Sequence, residues 1–417
     1  MTDRMVLRNA RVLTCTGDVD EKPEAAEILI EGDRIARVAP VLEVDEAAAR
    51  IVDLGGATVL PGLGDAHVHI SWPLDFVFDH GAVAATPAAE HMLDVAAVAR
   101  TFLESGYTTI IGAGTTQALD DLLAKSAIDK GTIPGPRIVP SGPMVGEEGG
   151  LGSDGGLMEV VSRGNATELR DEIARQCDLG VKAIKLFISG DGIVPEYPSE
   201  DVYMDDAMLE AAVHEADKHG AFLTAHARSA ASVAMAARTG VRIVHHACFL
   251  DDDSIAALEA RGDSVWVCPG LHYLYAMVNG HAEPYGMTPE KIEASGYRHE
   301  LDAQVDGLKR LRSEGVAVIA GGDFGHQWTH HGTYAAELER YVELVDMTPV
   351  EAIHTATRNL GPAAGFETGE VREGLLADLL VVDGDPSVDI TVLQQPHLRK
   401  AVVKDGQLAY VNPQVFP

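Results

Sequence analysis

Cations are scarce in this 417-residue chain: 32 Lys and Arg stand against 64 Asp and Glu, and 32 − 64 leaves a formal charge of −32. A surface of that sign repels phosphate backbones and anionic headgroups, and no run of Lys or Arg makes a local exception. Neither nucleic acid nor membrane is therefore expected as a partner. Long apolar runs are missing too. Nothing approaches the roughly 18 uninterrupted apolar residues of a spanning helix, and Met1-Thr2-Asp3-Arg4-Met5-Val6-Leu7-Arg8 lacks a signal-peptide core. The four cysteines, Cys15, Cys177, Cys248 and Cys268, are scattered and form no Cys-x-x-Cys pair. They read as reduced, mostly buried thiols in a reducing compartment, so a cytoplasmic location is expected. With 46% hydrophobic and 23% charged residues, what is present is an ordinary globular composition with a large core.

From residue 5 to about 56 short alternating runs predict strands, Val6–Leu13 and Glu27–Val38, with Glu31-Gly32-Asp33 as hairpin turn. The same texture returns in Ala377–Gly384 and Ala401–Val411. Two isolated ribbons bury little, so both ends are expected to pack into one composite β-sandwich, residues 1–56 with 375–417. Between them apolar strands alternate with helical periodicity, which predicts βα units. Eight candidate strands lie near Val59–Gly64, Tyr107–Gly112, Arg137–Ser141, Ala183–Ile188, Ala221–Ala225, Val241–His245, Ser264–Cys268 and Val316–Gly321. The fold class is thus α/β, a (β/α)8 TIM-like barrel over residues 57–374, whose chemistry sits at the C-terminal ends of its strands.

His67 and His69 follow the first strand one residue apart, so on extended backbone both imidazoles face one side and can chelate one metal. Lys185 lies inside the apolar run Ala183–Ile188, where an unpaired ammonium is costly. His226, His246 and Asp323 end the fifth, sixth and eighth strands. Singly, each has a structural explanation, such as a salt bridge for Lys185. Together they put six metal-competent or titratable groups on the one rim where a barrel does chemistry.

This constellation resembles the amidohydrolase superfamily of metal-dependent hydrolases, in its prolidase, dipeptidase, carboxypeptidase and urea-hydrolase members. Pro61-Gly62-Leu63-Gly64-Asp65-Ala66-His67-Val68-His69 is similar to the opening metal motif, and Ile184-Lys185 to the strand-4 lysine that becomes carboxylated. Thr224-Ala225-His226-Ala227, Val244-His245-His246-Ala247 and Gly321-Gly322-Asp323-Phe324-Gly325 resemble the remaining ligand sites. Met347–Ile353 with Ala356-Thr357, and Gly369–Leu379, match outside the site. The resemblance implies two divalent metal ions, Zn²⁺ or else Mn²⁺, Co²⁺ or Fe²⁺. His67, His69 and Asp323 would hold one, His226 and His246 the other, with carboxylated Lys185 and a hydroxide bridging them. It also implies attack of that hydroxide on a polarised carbonyl, with Asp323 as the catalytic proton shuttle.

The pattern departs from relatives that show Glu-His at strand 6 and Gly-Thr-Asp at strand 8. Here His245-His246 leaves two candidate ligands, of which His246 takes the motif's place while His245 is expected on the opposite side of the strand. Substrate contacts are expected from Trp72, Tyr203, Arg228, His272, Tyr273 and Trp328, with His80, Tyr197 and the loop Glu147–Asp154 also near the mouth. His326, His330 and His331 read equally as pocket wall or polar loop. Arg228 would either bind a substrate carboxylate or form a salt bridge to an acid. The first choice predicts an N-acyl amino acid or dipeptide as the small-molecule, amide-type substrate, and this is the expected class. The second predicts an aryl amide, phenylurea or carbamate. A ring deaminase and a non-catalytic barrel relative are the remaining readings, with Lys185 and the full ligand set against them; a homo-oligomer is compatible with all of these.

Overall fold

The structure, a computed structural model, describes residues 4–77, 79–153 and 158–413. Asp154 and residues 1–3, named above, lie outside them.

Both ends of the chain enter one eight-stranded sheet. Arg4–Val12 pairs antiparallel with Glu24–Glu31, which turns at Gly32 (φ 62°) into Arg34–Ala39. From the other terminus come Leu379–Val382 and the hairpin Arg399–Lys404 with Gln407–Val411. The two halves meet through Thr58–Pro61, which pairs with both Arg4–Val12 and Leu379–Val382. Thr58–Pro61 therefore belongs to this sheet, and the expected boundary at residue 56 falls short of it. Strand parity explains how one sheet serves two cores. Val59, Leu379, Val381 and Val403 join Leu7, Ile28 and Ile30 in the module's own core, whereas Leu60, Leu380, Val382 and Val402 point into the main core beside the barrel.

The candidate strand Val59–Gly64 is thus two strands. The chain leaves the sheet at Gly62 and begins the first barrel strand, Leu63–Val68. A Cβ at Gly62 would stand 2.2 Å from the Thr108 hydroxyl, so the close crossing requires glycine. Barrel strands follow at Tyr107–Gly112, Arg137–Val139, Ala183–Phe187, Phe222–Ala227, Ile243–His246 and Trp266–Cys268, paired in parallel in two segments joined by the Ser141 to Ala183 bridge. The expected eighth strand is reduced to single bridges, Val318 to Val267 and Phe324 to Val68, and these close the ring. Intervening helices include Asp206–Lys218, capped by Asp205, and Tyr297–Glu314, stopped by Gly315 at φ 75°. No helix among the described residues is long and apolar enough to cross a membrane.

The barrel floor takes one side chain from each position around the ring: Ala66, Ile111, Val139, Ala183, Phe222, Ile243, Cys268 and Ile319. Their neighbours Ile184, Leu223, Val244, Val267 and Val318 face outward into the helix layer. Two residues beyond the floor, the same parity brings Lys185 and His245 inside.

Candidate metal centre

Six buried groups line one cavity of about 390 Å³ at the C-terminal mouth: His67, His69, Lys185, His226, His246 and Asp323. Asp323 Oδ1 lies 3.3 Å from His69 Nε2 and 3.6 Å from His67 Nε2, and these three residues converge as a ligand set. The Lys185 ammonium stands 3.1 Å from His67 Nε2. Across the cavity the rings of His226 and His246 are 4.4 Å apart.

The backbone orients each donor. His69 Nδ1 donates to Gly114 O at 3.1 Å and His226 Nε2 to Gly190 O at 2.9 Å, which frees the other nitrogen of each ring. His246 and Asp323 occupy the left-handed region at φ 70° and 55°. Such strain in non-glycine residues costs on the order of 1–3 kcal/mol and concentrates at functional sites. At His246 it has a specific result. Parity gives the inward direction to His245, and His246 reaches the mouth only because its backbone leaves the strand conformation. Gln304 fixes that turn by donating to His246 O at 2.7 Å and Pro269 O at 2.8 Å. The expectation that His245 faces away from the site is therefore corrected: its ring lies inside the barrel, 4.1 Å from that of His67.

Electrostatics follow from burial. It pushes the Lys185 ammonium down to about 8, against the pull of Asp323 and Cys268. Burial opposes ionisation of Asp323, but the close approach of His69, with His326 and Lys185 nearby, outweighs it and holds the carboxyl below its usual range. Burial depresses His67 and His246 well below the usual imidazole value and His226 to about 3, so all three are neutral donors. Asp323 Oδ1 and His67 Nδ1 are buried without a hydrogen-bond partner among the described residues. Neutral imidazoles, a carboxylate and unpartnered buried atoms are the donor chemistry of a divalent metal site.

Of the expected substrate contacts, Trp72 and Tyr273 line the cavity, together with His80, Tyr197 and His326. Tyr203, His272 and Trp328 do not. Tyr203 packs edge-on to Tyr197, His272 stacks on Phe324, and Trp328 stacks on His326. His331 stands behind the wall, with Nε2 3.1 Å from Trp72 O, and His330 is exposed. Leu151 and Gly152 represent the Glu147–Asp154 loop, beside Met144, Met158, Phe187, Ile193 and Val194 on an apolar wall. Arg228 is absent from the lining. It is buried, with Nη2 2.7 Å from Asp191 Oδ2 and Nη1 on Glu300 Oε1, so its guanidinium already serves two acids.

Asp65, Asp191, Glu300 and Gln304 were not anticipated. Asp65 accepts from His67 N at 2.8 Å and Gly322 N at 3.4 Å, tying the first strand to the eighth position; an acid within the apolar stretch before His67 was its one local signal.

A (β/α)8 barrel with His, Lys and Asp donors gathered at its C-terminal mouth defines a barrel hydrolase equipped to hold metal. The profile of the amidohydrolase family matches residues 58–409, and the chain belongs to that family, whose members hydrolyse C–N bonds. Ochratoxinase of Aspergillus niger is 27% identical over 390 residues, covering 86% of this chain and 77% of the relative. Imidazolonepropionase of Cereibacter sphaeroides is 25% identical over 433 residues, covering 97% and 99%. Among solved structures a Xaa-Pro dipeptidase shares the fold at a TM-score of 0.85, with 22% identity over 98% of this chain and 100% of that one.

Proposed function

We propose that the protein is a binuclear metal-dependent hydrolase of apolar aryl amides, phenylureas or carbamates. The observation that carries the reading is the convergence of His67, His69 and Asp323 on the cavity that His226, His246 and Lys185 also line. His67, His69 and Asp323 would hold one ion and His226 and His246 the other, with carboxylated Lys185 between them; Zn²⁺ suits the nitrogen and oxygen donors, as do Mn²⁺, Co²⁺ and Fe²⁺. When bound, the metals lower the pKa of water and polarise the substrate carbonyl.

The chain's own residues do the rest. Asp323, anionic at the cavity, takes the proton of the attacking water and delivers it to the departing nitrogen. Neutral Lys185 is the form that adds CO₂, and carboxylation replaces a costly buried cation with an anionic ligand. Met144, Met158, Leu151, Phe187, Ile193 and Val194 exclude water and receive an apolar group.

The use of Arg228 by Asp191 and Glu300 favours this class over a substrate held by its carboxylate on that arginine. The alternative, an N-acyl amino acid or dipeptide, would need a carboxylate partner other than Arg228. The test is a hydrolysis screen of aryl amides, ureas and carbamates against N-acyl amino acids and dipeptides, before and after chelation. Chelator-sensitive turnover highest on the first group is expected. Turnover confined to the second group overturns the substrate class, and turnover indifferent to metal removal overturns the mechanism.

A further inference from the structure

Beneath the catalytic ligands lies a second convergence that the hydrolytic reading leaves unused. His67, His245 and Cys268 are fully or almost fully buried, and one donor atom from each lies within 4.8 Å of the others. His245 and Cys268 are register partners on adjacent strands, both facing inward. Among the described residues neither ring nitrogen of His245 has a hydrogen-bond partner. An unpartnered buried imidazole is a strong acceptor without a donor, and such groups are rare in folded interiors. The Cys268 sulfur has one weak contact, 3.7 Å from Gly321 O. A Cβ at Gly321 would stand 2.4 Å from that sulfur, so glycine there keeps the space above it clear.

We propose that His67, His245 and Cys268 form a thiol-containing metal site in the barrel throat, which takes soft divalent ions such as Cd²⁺ or excess Zn²⁺ and competes with the catalytic set for His67. One sulfur and two imidazole nitrogens select thiophilic ions over Mg²⁺ or Ca²⁺. As the sulfur–metal bond forms, the Cys268 thiol proton is released to solvent. Because His67 belongs to both ligand sets, filling the throat strips one imidazole from the catalytic set, and the ion acts as an inhibitor. The competition rests on the catalytic role proposed for His67; the existence of the site does not.

The experiment is a Cd²⁺ titration of the full-length protein carrying Cys177→Ser, which removes the partly exposed thiol. Near-ultraviolet thiolate-to-cadmium charge transfer and turnover are followed together. The site predicts a band that saturates at one equivalent with loss of turnover of about tenfold or more. With Cys268→Ala added, the band disappears and turnover without Cd²⁺ is retained. No band in the parent protein at saturation, or an equal band in the Cys268→Ala protein, overturns the site. A band without inhibition upholds the site and overturns the competition. Should Cys268→Ala fail to fold, the ¹¹³Cd resonance of the parent decides: a mixed sulfur and nitrogen position supports the site, and an all-oxygen and nitrogen position overturns it. A protein that hydrolyses nothing in the screen above would still give the band, so the two readings fail separately.

Discussion

The indole of Trp72 lies flat on the imidazole of His69, with centroids 3.8 Å apart and 13° between the planes. One face of His69 is thus clamped, while its Nδ1 is held by Gly114 O and Trp72 is itself held through its carbonyl by His331. Groups that orient a ligand typically govern metal affinity by about 10–100-fold. Trp72→Leu is expected to weaken metal binding by about that factor in a chelator competition while the protein stays folded. Unchanged affinity would reduce Trp72 to a cavity wall.

Arg228 offers a contrast between binding and stability. Removing it leaves Asp191 and Glu300 buried without their cation, a loss of roughly 3–5 kcal/mol for an interior ion pair. Arg228→Met is therefore expected to lower the unfolding midpoint in denaturant sharply. A raised KM with unaltered stability would instead restore the arginine as a substrate contact.

Lys185 predicts a pH dependence. Burial lowers its ammonium to about 8, and only the neutral amine reacts with CO₂, so carboxylation of the metal-free protein should rise as pH climbs through about 8. ¹³C-bicarbonate incorporation followed by NMR at pH 6 and pH 9 checks this: the carbamate signal should be larger at the higher pH and absent from Lys185→Ala. A signal independent of pH, or retained in the variant, contradicts the assignment.

Asp323 combines a left-handed backbone with a buried oxygen that has no hydrogen-bond partner among the described residues. Asp323→Asn keeps the volume and removes the proposed proton acceptor, so nearly all turnover should be lost with circular dichroism unchanged. Turnover like that of the unaltered protein would end the proton-shuttle role.

Much of the site was legible because its signals are local. A His-x-His pair after an apolar strand, and a lysine inside an apolar run, stand out against their own neighbours. The strand-1 expectation failed because Val59–Leu60 and Leu63 are equally apolar, and nothing local says that the chain changes sheets at Gly62. His246 lines the mouth although strand alternation gives the inward side to His245, since alternation holds only where the backbone stays extended and here it does not. The partners of Arg228 lie 37 and 72 residues away, so no spacing rule connects them to it. Gln304, 58 residues from the carbonyl it holds, is hidden for the same reason.

Elemental analysis of the purified protein, set beside Lys185→Ala, tests the central claim most directly. The proposed arrangement, two sets of donors with Lys185 between them, predicts about two equivalents of divalent metal per chain and loss of tight binding of at least one in the variant. A chain that carries no tightly bound metal, or a Lys185→Ala protein that keeps both ions, would contradict it.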